Sequence, residues 1–430
     1  MNRVLSRELA AHVGERVEVM GWLHQLRRLG GINFLIVRDR AGMTQVVLED
    51  TRALANALPE SVLCVEGRVV AEPQAPSGYE LHDAQVEVLV AVNEALPFPI
   101  NKPVLNVSLD TFLDHAIIGL RHPQRRALFR LAAGVMAGFR ATLTELGFTE
   151  IQTPKLVSAA TEGGANVFRV DYFGRPAYLA QSPQFYKQMM VTVFERVFEV
   201  GPVFRAEPHD TTRHINEYVS LDVEMGFIHD HRDVMAVVEQ VVHGILDHLQ
   251  THEAEAWAQW NIVRPSAPPT FPMIYFPDAQ QLIFERWGED CRGEPDLAPQ
   301  HERWLGEWAR ATYDSDFLFV TGYPMEKRPF YTHPNPDDPR FSNSFDLLFR
   351  GTELITGGQR LHRYRDYLRA AQTRGIALEA IAGYLETFRY GAPPHGGFAI
   401  GLERFLMQLL GLSNIREATL FPRDLTRLVP

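Results

Sequence analysis

The chain has 430 residues, of which 46% are hydrophobic and 22% charged, so it is a folded globular protein with room for two or three domains. Its 42 Lys and Arg residues face 53 Asp and Glu residues, and the net charge of -11 requires any nucleic-acid partner to meet a local basic patch. Cys64 and Cys291 are too few for a disulfide framework or a thiolate metal site, and no run predicts a membrane span or a signal peptide. We therefore expect a cytoplasmic protein without membrane association.

The first part of the chain consists of short runs of alternating apolar and polar residues. These runs read RVEVMGWLHQ, INFLIVRD, MTQVVLE, SVLCVEGRVV and AQVEVLVAV. Five such strands within residues 1–96 predict a small Greek-key barrel of the oligonucleotide-binding (OB) type. Such barrels commonly hold single-stranded nucleic acid by stacking bases on aromatic rings beside cations. The side chains that would supply these groups are Phe34, Arg27, Arg28, Arg38 and Gln45. Phe34 is equally consistent with a core residue.

A proline-interrupted stretch at residues 97–115 is predicted to be a linker to a second domain at residues 116–430. From Pro123 the spacing of apolar residues predicts an amphipathic helix that stops at Gly147. Further helices are predicted at 233–249 and 302–311. Residues 265–299 are rich in proline and read as irregular.

Strands are predicted again beyond the first long helix. Residues 148–154 look like a strand closed by proline, and further strands are expected in DFLFVTGYP, RPFYTH and NSFDLLFRGTELITGG. The last segment, GGFAIGLERFLMQLLG, runs from a strand into a helix that begins near Leu402. Hairpins and uneven helices without repeated βαβ units favour an antiparallel sheet with helices packed on it. The predicted fold is therefore multidomain, an all-β barrel followed by an α+β domain.

Residues 198–225 read as two strands joined by a charged loop. Arg205 and Glu207 would point the same way because side chains alternate along a strand. The polar residues that share one face of the returning strand are Ser220, Asp222 and Glu224. Such alternation marks either a solvated face or the floor of a polar pocket. Arg213 and His214 in the loop favour the pocket and a phosphate-bearing substrate, because a guanidinium can bind phosphate oxygens in pairs.

These residues together resemble a known family. Phe204-Arg205-Ala206-Glu207 with Arg213-His214 resembles motif 2 of the class II aminoacyl-tRNA synthetases, Gly401-Leu402-Glu403-Arg404 resembles motif 3, and the run ending in Pro154 resembles motif 1. The segment QSPQFYKQ at 181–188 is similar to the amino-acid motif of the aspartate enzymes, and the barrel to the anticodon-binding domain of the subgroup that charges aspartate, asparagine or lysine. The interval between motifs 2 and 3 is too short for the extra domain of bacterial-type aspartate enzymes, so the archaeal type is the closer match.

The resemblance implies an aspartate–tRNA ligase that forms aspartyl-adenylate from L-aspartate and ATP and transfers aspartate to the 3′ end of tRNA(Asp), releasing diphosphate and AMP. The attacking α-carboxylate is already ionised at neutral pH, so catalysis should rest on positioning and on neutralising phosphate charge. The implied catalytic residues are Arg205, Glu353 and Arg404. The implied ATP-binding residues are Arg205, Ala206, Glu207, Arg213, His214, Ile215, Tyr218, Glu353, Gly401, Leu402, Glu403 and Arg404.

The same resemblance implies a magnesium ion that travels with ATP. Its candidate ligands are Glu353 and Thr356, with Asp346 as an additional or supporting oxygen donor. An Asp and a Glu seven residues apart could equally mark an exposed strand edge.

Aspartate recognition requires cations for the side-chain carboxylate and anions for the ammonium group. The residues implied by the resemblance are Glu162, Gln184, Phe185, Tyr186, Lys187, Arg205, Asp222, Thr356 and Arg360. Lys187 and Arg360 would hold the side-chain carboxylate, while Glu162, Gln184 and Asp222 would meet the ammonium. Asparagine would leave two desolvated cations underpaired, which favours aspartate as the substrate.

The implied anticodon residues are His24, Arg27, Phe34, Gln45 and Pro76. Arg28 stands where relatives usually carry an acidic residue, so a contact to the anticodon loop is expected to differ. His24 and Pro76 match positions at which enzymes that charge both tRNA(Asp) and tRNA(Asn) carry these residue types. We therefore expect a non-discriminating enzyme with a functional link to an aspartyl-tRNA amidotransferase, although a strand histidine and a turn proline also have ordinary structural interpretations.

Three alternatives remain open. The first is a ligase specific for tRNA(Asp) alone. The second is a tRNA-independent asparagine synthetase-like paralogue, although such relatives usually lack the barrel. The third is a non-catalytic nucleic-acid-binding protein that keeps the fold. Motif 1 also implies a homodimer.

Overall fold

The computed structural model describes residues 3–29, 31–158, 166–208 and 211–429. The chain forms two compact units, Met1–His122 and Pro123–Pro430. Cys64 and Cys291 are both buried free thiols. Among the described residues, no helix is both long enough and apolar enough to cross a membrane.

The first unit contains a closed five-stranded barrel, which confirms the predicted OB fold. Its strands are β1 (Arg16–Leu29), β2 (Ile32–Arg38), β3 (Met43–Leu48), β4 (Val62–Ala71) and β5 (Tyr79–Val90). They are joined in the order β1-β2-β3-β5-β4, with β3 and β5 parallel and the other neighbours antiparallel. Alternate residues such as Val17, Val19, Leu35 and Val37 fill the barrel, because side chains of a strand point to opposite faces.

Two short helices follow the barrel in the same unit, α1 (Leu109–Asp114) and α2 (Ala116–Gly119). Helix α1 begins because the Ser108 hydroxyl accepts a hydrogen bond from the Thr111 amide at 3.2 Å. The end of the segment interpreted as a linker is therefore helical.

The second unit is built on an eight-stranded sheet. Its strands are β6 (Thr149–Glu150), β10 (Arg196–Phe204), β11 (Glu217–Gly226), β12 (Met273–Tyr275), β13 (Phe317–Thr321), β14 (Ser344–Phe349), β15 (Thr352–Gln359) and β16 (His395–Gly401). They lie in the order β12-β13-β14-β15-β16-β11-β10-β6. The six central strands are antiparallel, as predicted, and only the edge pairs β12–β13 and β6–β10 are parallel. A smaller sheet contains β7 (Leu156–Val157), β8 (Arg169–Tyr172) and β9 (Arg175–Leu179).

Helices cover the large sheet. They are α3 (Pro123–Glu145), α4 (Gln184–Phe194), α5 (His231–His252), α6 (Ala254–Gln259), α7 (Phe276–Trp287), α8 (Pro299–Tyr313), α9 (Tyr364–Thr373), α10 (Ala382–Arg389) and α11 (Leu402–Leu410). Short 3-10 segments lie at Ser6–His12, Arg52–Leu54, Met325–Lys327, Leu378–Ile381 and Ile415–Ala418. The apolar faces of α3 and α5 pack with the sheet into one core. On the opposite face, α7 and α8 cover β13 and β14 with a second apolar core, and the polar part at β11 and β15 is left for a site.

Helix α8 approaches the turn between β14 and β15 very closely. A Cβ atom on Gly306 would lie 2.5 Å from the Gly351 amide nitrogen, and one on Gly351 would lie 2.7 Å from the Arg303 Cα atom. Because both neighbours are backbone atoms, only glycine fits at either position. Gly351 also has a φ of +71°, which favours glycine independently.

Most predicted elements are confirmed, including the helices from Pro123, at 233–249 and at 302–311 and the helix that begins at Leu402. The strand predicted in RPFYTH is wrong, since this run forms turns and a single isolated β-bridge, in which Thr332 pairs with Arg360. Pro329 cannot donate to a strand ladder, and its carbonyl instead accepts from the Thr332 amide at 3.0 Å.

The strand predicted at 148–154 is confirmed only for Thr149–Glu150. It ends there because Thr153 bonds to a side chain instead of a strand, with its amide and hydroxyl both donating to the Glu199 carboxylate. The proline-rich segment at 265–299, expected to be irregular, contains β12 and α7.

Candidate active site

A cavity of about 310 Å³ opens on the polar face of the large sheet. The predicted site residues that line it are Gln184, Lys187, Arg205, Glu207, Arg213, His214, Ile215, Tyr218, Asp222, Glu353, Thr356, Arg360, Gly401, Glu403 and Arg404. The structure therefore brings residues that are more than 200 positions apart in the chain into one site.

Other predicted residues have different positions. Within the described part of the chain, the lining omits Phe185, Tyr186, Ala206, Asp346 and Leu402. The Phe185 ring stacks on Tyr384 with ring centres 4.1 Å apart, and Leu402 belongs to the core. Glu162, predicted to meet the ammonium group, lies outside the described residues.

Strand β11 of the β10–β11 hairpin forms the floor of the cavity together with β15 and β16. The hairpin register pairs Val203 with Tyr218 and Glu199 with Asp222, so the charged loop that begins at Arg205 stands at the cavity edge. Asp222 and Glu224 are 1% and 0% exposed, whereas Leu221 and Val223 point into the apolar core. The polar alternation in this strand therefore marks a pocket floor and not a solvated face.

At one end of the cavity, which we call the aminoacyl end, two cations are paired with two buried carboxylates. The Lys187 ammonium donates to Asp222 Oδ1 at 2.9 Å and lies 3.5 Å from Glu224 Oε2. The Arg360 guanidinium donates through Nε to Glu224 Oε1 at 3.0 Å. Burial alone would raise the pKa of Glu224, but the charges of Arg360 and Lys187 bring it below its usual value. This carboxyl is therefore ionised.

Backbone carbonyls complete the coordination of the same cations. Lys187 Nζ also donates to the carbonyls of Val223 at 3.3 Å and Phe398 at 3.2 Å, and Arg360 Nη2 donates to the Gly397 carbonyl at 3.0 Å. Both cations of the predicted clamp thus already have carboxylate partners in the free pocket. The expectation that asparagine would leave these cations without a carboxylate partner therefore has to be changed. A substrate carboxylate would replace a partner that each cation already has.

The opposite end of the cavity, the nucleotide end, carries more exposed side chains with longer contacts. The Arg205 guanidinium lies 5.7 Å from the Tyr218 ring centre and 3.8 Å from Glu207 Oε1. Glu207 Oε2 is 3.8 Å from His214 Nε2. These groups surround a space between an aromatic ring and several cations, which suits a planar base with an attached phosphate.

The first turn of α11 closes the nucleotide end. Arg404 Nη1 donates to the Glu353 carbonyl at 3.0 Å and lies 3.5 Å from Glu353 Oε1. Both carboxylate oxygens of the neighbouring Glu403 accept from the Val219 amide, at 3.1 and 3.2 Å, and burial raises the pKa of Glu403 to about 7. Glu403 thus links α11 to β11, while Arg404 is directed toward the cavity.

Two charged residues near Glu353 were missed by the sequence analysis. Glu302 of α8 accepts a hydrogen bond from the Glu353 amide at 3.2 Å, and the Arg328 guanidinium lies 3.0 Å from Asp346 Oδ2. Burial first, and then repulsion by Glu353, raises the pKa of Glu302 to about 7. No sequence signal marked either residue, since Glu302 reads as one more polar helix residue and Arg328 lies in the run misread as a strand.

The residues near Glu353 fit a magnesium ion that arrives with phosphates. Glu353 and the Thr356 hydroxyl line the cavity, and the buried Oδ1 atom of Asp346 has no hydrogen-bond partner among the described residues. Burial raises the pKa of Asp346 to about 6, against the opposing effect of Arg328. In the described ranges, no three His, Cys, Asp or Glu side chains are grouped to hold a metal on their own. Few protein oxygens suffice for magnesium, which keeps waters and phosphates.

In the barrel, three predicted anticodon residues share the outer face of the β1–β2–β3 surface. Arg27 lies directly opposite Phe34, and Gln45 lies opposite Ile36, two residues along the same strand as Phe34. Gln45 also donates to Glu80 Oε2 at 2.8 Å. Phe34 is half-buried outside the barrel core, so its core interpretation is not supported.

The other two anticodon candidates have different environments. His24 sits at a register shift of β1 and is only 7% exposed, with burial lowering its pKa to about 4 and its Nδ1 atom lacking a hydrogen-bond partner among the described residues. Pro76 is exposed in the turn between β4 and β5. Of these two residues, Pro76 is accessible from solvent and His24 is not.

Comparisons with known proteins identify the family of the chain. A model of class II tRNA synthetases for D, K and N matches residues 108–425, and a model of OB-fold nucleic acid binding domains matches residues 17–89. An aspartate–tRNA(Asp/Asn) ligase of Thermus thermophilus is 48% identical over 428 residues, covering 100% of both chains. Its counterpart of the same name in Deinococcus radiodurans is 46% identical over 435 residues, covering 100% of this chain and 99% of the relative.

Among solved structures, the asparaginyl-tRNA synthetase of Pyrococcus horikoshii complexed with asparaginyl-adenylate superposes with a TM-score of 0.92 at 32% identity, covering 100% of both chains. Fold likeness thus extends to an enzyme named for a different amino acid, whereas the sequence relatives carry the aspartate name. The chain belongs to the class II aminoacyl-tRNA synthetases and, among these, to the aspartate–tRNA ligase family.

Proposed function

We propose that this enzyme activates L-aspartate with ATP in the cavity and charges both tRNA(Asp) and tRNA(Asn). The observation that carries the amino-acid assignment is the pairing of Lys187 with Asp222 and of Arg360 with Glu224 in one buried pocket. A zwitterion with an additional carboxylate can enter such a pocket if its charged groups replace the existing ion-pair partners of the pocket residues. The substrate side-chain carboxylate takes Lys187, and Asp222 turns to the substrate ammonium. Asparagine offers no charge to replace Asp222 at Lys187, which opposes its binding.

At the nucleotide end, Arg205 binds the α-phosphate and the attacking carboxylate, and Tyr218 and Glu207 hold the adenine. Arg213, His214 and Arg404 neutralise the β- and γ-phosphates, which lowers the barrier by stabilising charge and not by moving a proton. Glu353 and Thr356 would hold magnesium, with Asp346 in support. The ion would supply further neutralisation of phosphate charge.

Support for relaxed tRNA choice comes from the barrel and from the two relatives named for both tRNAs. Arg27, Phe34 and Gln45 share an outer face of the barrel that can hold a splayed-out base. His24 and Pro76 match the positions that the family resemblance links to relaxed tRNA choice. Charging tRNA(Asn) with aspartate requires a later amidation, so an aspartyl-tRNA amidotransferase is the expected partner activity. We further propose a cytoplasmic homodimer, as the family motifs imply.

The deciding experiment charges purified tRNA(Asp) and tRNA(Asn) side by side with labelled L-aspartate at one salt concentration. Comparable charging of both supports the proposal. Charging of tRNA(Asp) alone would leave the ligase assignment intact and reject relaxed specificity. Aspartate-dependent exchange of pyrophosphate into ATP, without transfer to either tRNA, would instead favour a tRNA-independent paralogue.

A further inference from the structure

Behind the aminoacyl end lies a buried hydrogen-bonded group that joins two glutamines of the segment 181–188 to side chains from distant elements. We call it the Gln188 network, and its members are Gln184, Gln188, Tyr367, Tyr384 and His395. Each member is at most 4% exposed, and of the five only Gln184 lines the cavity. The network connects α4, α9, α10 and β16. The donor and acceptor roles of its side chains can be assigned one after another, beginning with the hydrogen bond to the backbone carbonyl of Pro393.

The first assignment is the position of the proton on the His395 ring. His395 Nδ1 lies 2.8 Å from the Pro393 carbonyl, which can only accept, so Nδ1 carries the proton. Burial lowers the pKa of His395 to about 4, so the ring is neutral and Nε2 is an acceptor. The Gln188 side-chain atom at 2.8 Å from Nε2 must therefore be the amide nitrogen.

The tyrosines fix the same orientation independently. The Tyr367 hydroxyl donates to the Leu361 carbonyl at 2.8 Å and accepts from Gln188 Nε2 at 3.0 Å. Both protons of the Gln188 amide are thus used, and Oε1 is directed away from His395. Gln188 Oε1 accepts from Gln184 Nε2 at 3.0 Å. The Tyr384 hydroxyl lies 3.0 Å from both Gln188 Oε1 and the Tyr367 hydroxyl, and its single proton can be donated to either acceptor.

The orientation of Gln184 follows from that of Gln188. Its side-chain atom next to Gln188 Oε1 must be a donor, and the same atom lies 3.5 Å from Glu224 Oε2, which also requires a donor. The Gln184 carbonyl oxygen is then the atom left for the cavity, and it has no hydrogen bond within the described part of the chain. A carbonyl oxygen accepts from an ammonium, whereas an amide group in the flipped orientation would repel it.

We propose that Gln188 is a positioning residue that fixes the Gln184 amide, so that its carbonyl oxygen accepts from the α-ammonium of the amino-acid substrate. This inference rests on the proposed function, because it assigns the ammonium to the aminoacyl end. Gln188 does not line the cavity and acts through Gln184 alone.

The test is a double-mutant cycle in the full-length enzyme, measured by aspartate-dependent pyrophosphate exchange at saturating ATP. Gln188→Met should raise KM for aspartate about tenfold, the size expected for one hydrogen bond to a charged group, and leave KM for ATP unchanged. In a Gln184→Met background, Gln188→Met should have no further effect, because its action passes through Gln184. Equal, additive losses in both backgrounds would overturn the proposal.

Two further variants secure the test. Gln240→Met makes the same chemical change on the exposed part of α5 and should leave KM for aspartate unchanged. Tyr384→Phe keeps the ring stacked on Phe185 and removes a hydroxyl that can donate to Gln188, so it serves if Gln188→Met does not fold. A rise of about two- to threefold in KM is expected. Its persistence in the Gln184→Met background would reject the inference.

The wild-type enzyme separates this inference from the proposed function. Exchange activity with aspartate in the wild type, combined with an additive cycle, rejects only the role of Gln188. A wild type without aspartate-dependent exchange rejects the proposed function itself.

Discussion

The two ends of the cavity are built differently although they share one sheet. At the aminoacyl end, the side chains of Lys187 and Asp222 are each 2% exposed and are held by short hydrogen bonds. At the nucleotide end, the side chains of Arg205 and Glu207 are 43% and 25% exposed and lie 3.8 Å apart. The first end is organised before the substrate arrives, whereas the second can be completed by the phosphates. Under the proposed roles of the two ends, amino-acid selection rests on a rigid part of the fold and ATP binding on an adaptable one.

The strongest way to break this comparison is to remove the cation at the centre of the rigid end. Lys187→Met leaves the buried carboxylates Asp222 and Glu224 without one of their partners, and it should destabilise the enzyme by about 3–5 kcal/mol. Aspartate-dependent exchange should fall at least about 10³-fold. Urea unfolding and pyrophosphate exchange measure the two effects.

The matched control is the double variant Lys187→Met with Asp222→Asn. It removes the uncompensated carboxylate and should recover part of the lost stability without recovering aspartate activation. Unchanged stability in Lys187→Met alone would contradict the view that this end is held together by its ion pairs.

The adaptable end is tested by Arg404→Ala. We expect pyrophosphate exchange to fall about 10²- to 10³-fold because phosphate charge is less well neutralised, while stability changes by less than about 0.5 kcal/mol. Arg369→Ala, on the exposed part of α9, should leave both properties unchanged. Pyrophosphate exchange at the wild-type rate in Arg404→Ala would show that Arg404 does not neutralise phosphate charge.

A pH experiment sharpens the comparison at Glu302, next to the nucleotide end. The folded pKa is raised to about 7 from 4.5, so the folded state binds a proton that the unfolded state releases, and stability falls as pH rises through this window. Glu302→Gln keeps an acceptor for the Glu353 amide without the charge. It should be more stable than the wild type by up to about 3 kcal/mol at pH 8 and equally stable near pH 4.5. If the free energies of unfolding of the wild type and of Glu302→Gln changed in parallel with pH, the pKa of Glu302 would not be raised in the folded state.

The smallest expected effect on activity comes from a change in the barrel. It tests whether the comparison of the two cavity ends is independent of the barrel. Phe34→Ala should raise KM for tRNA about tenfold through the loss of one stacking contact and leave pyrophosphate exchange unchanged. Leu89→Ala removes an exposed apolar group from β5 and serves as the control. A change in exchange activity would mean that Phe34 acts on the catalytic unit and not on the tRNA.

Sequence patterns predicted the parts of this molecule that depend on local periodicity. Alternation in the five barrel runs was sufficient for the barrel. Alternation at Ser220, Asp222 and Glu224 predicted the cavity floor only together with the loop cations Arg213 and His214. The motif resemblance then placed Lys187 and Arg404 in one site.

The parts that could not be predicted depend on long-range contacts. Glu302 and Arg328 carry no local signal, because each gains its role from a partner on a distant element. Gln188 lies in the segment 181–188, but its contacts with Tyr367 and His395 could not be predicted from that segment. Likewise, alternation alone could not show that Pro329 turns the chain, nor that Lys187 has a carboxylate partner before any substrate binds.

The close contact of Gly306 with Gly351 also constrains how this enzyme can be recombined. Exchanging helix α8 alone with that of a relative transplants one half of a backbone-to-backbone fit, because Gly306 moves with the helix while Gly351 stays in the recipient. A donor segment with alanine at the position of Gly306 would push the β14–β15 turn outward and displace Glu353 with it. Chimeras should therefore inherit the two glycines as a unit, and a library that varies one of them freely should lose most of its active members.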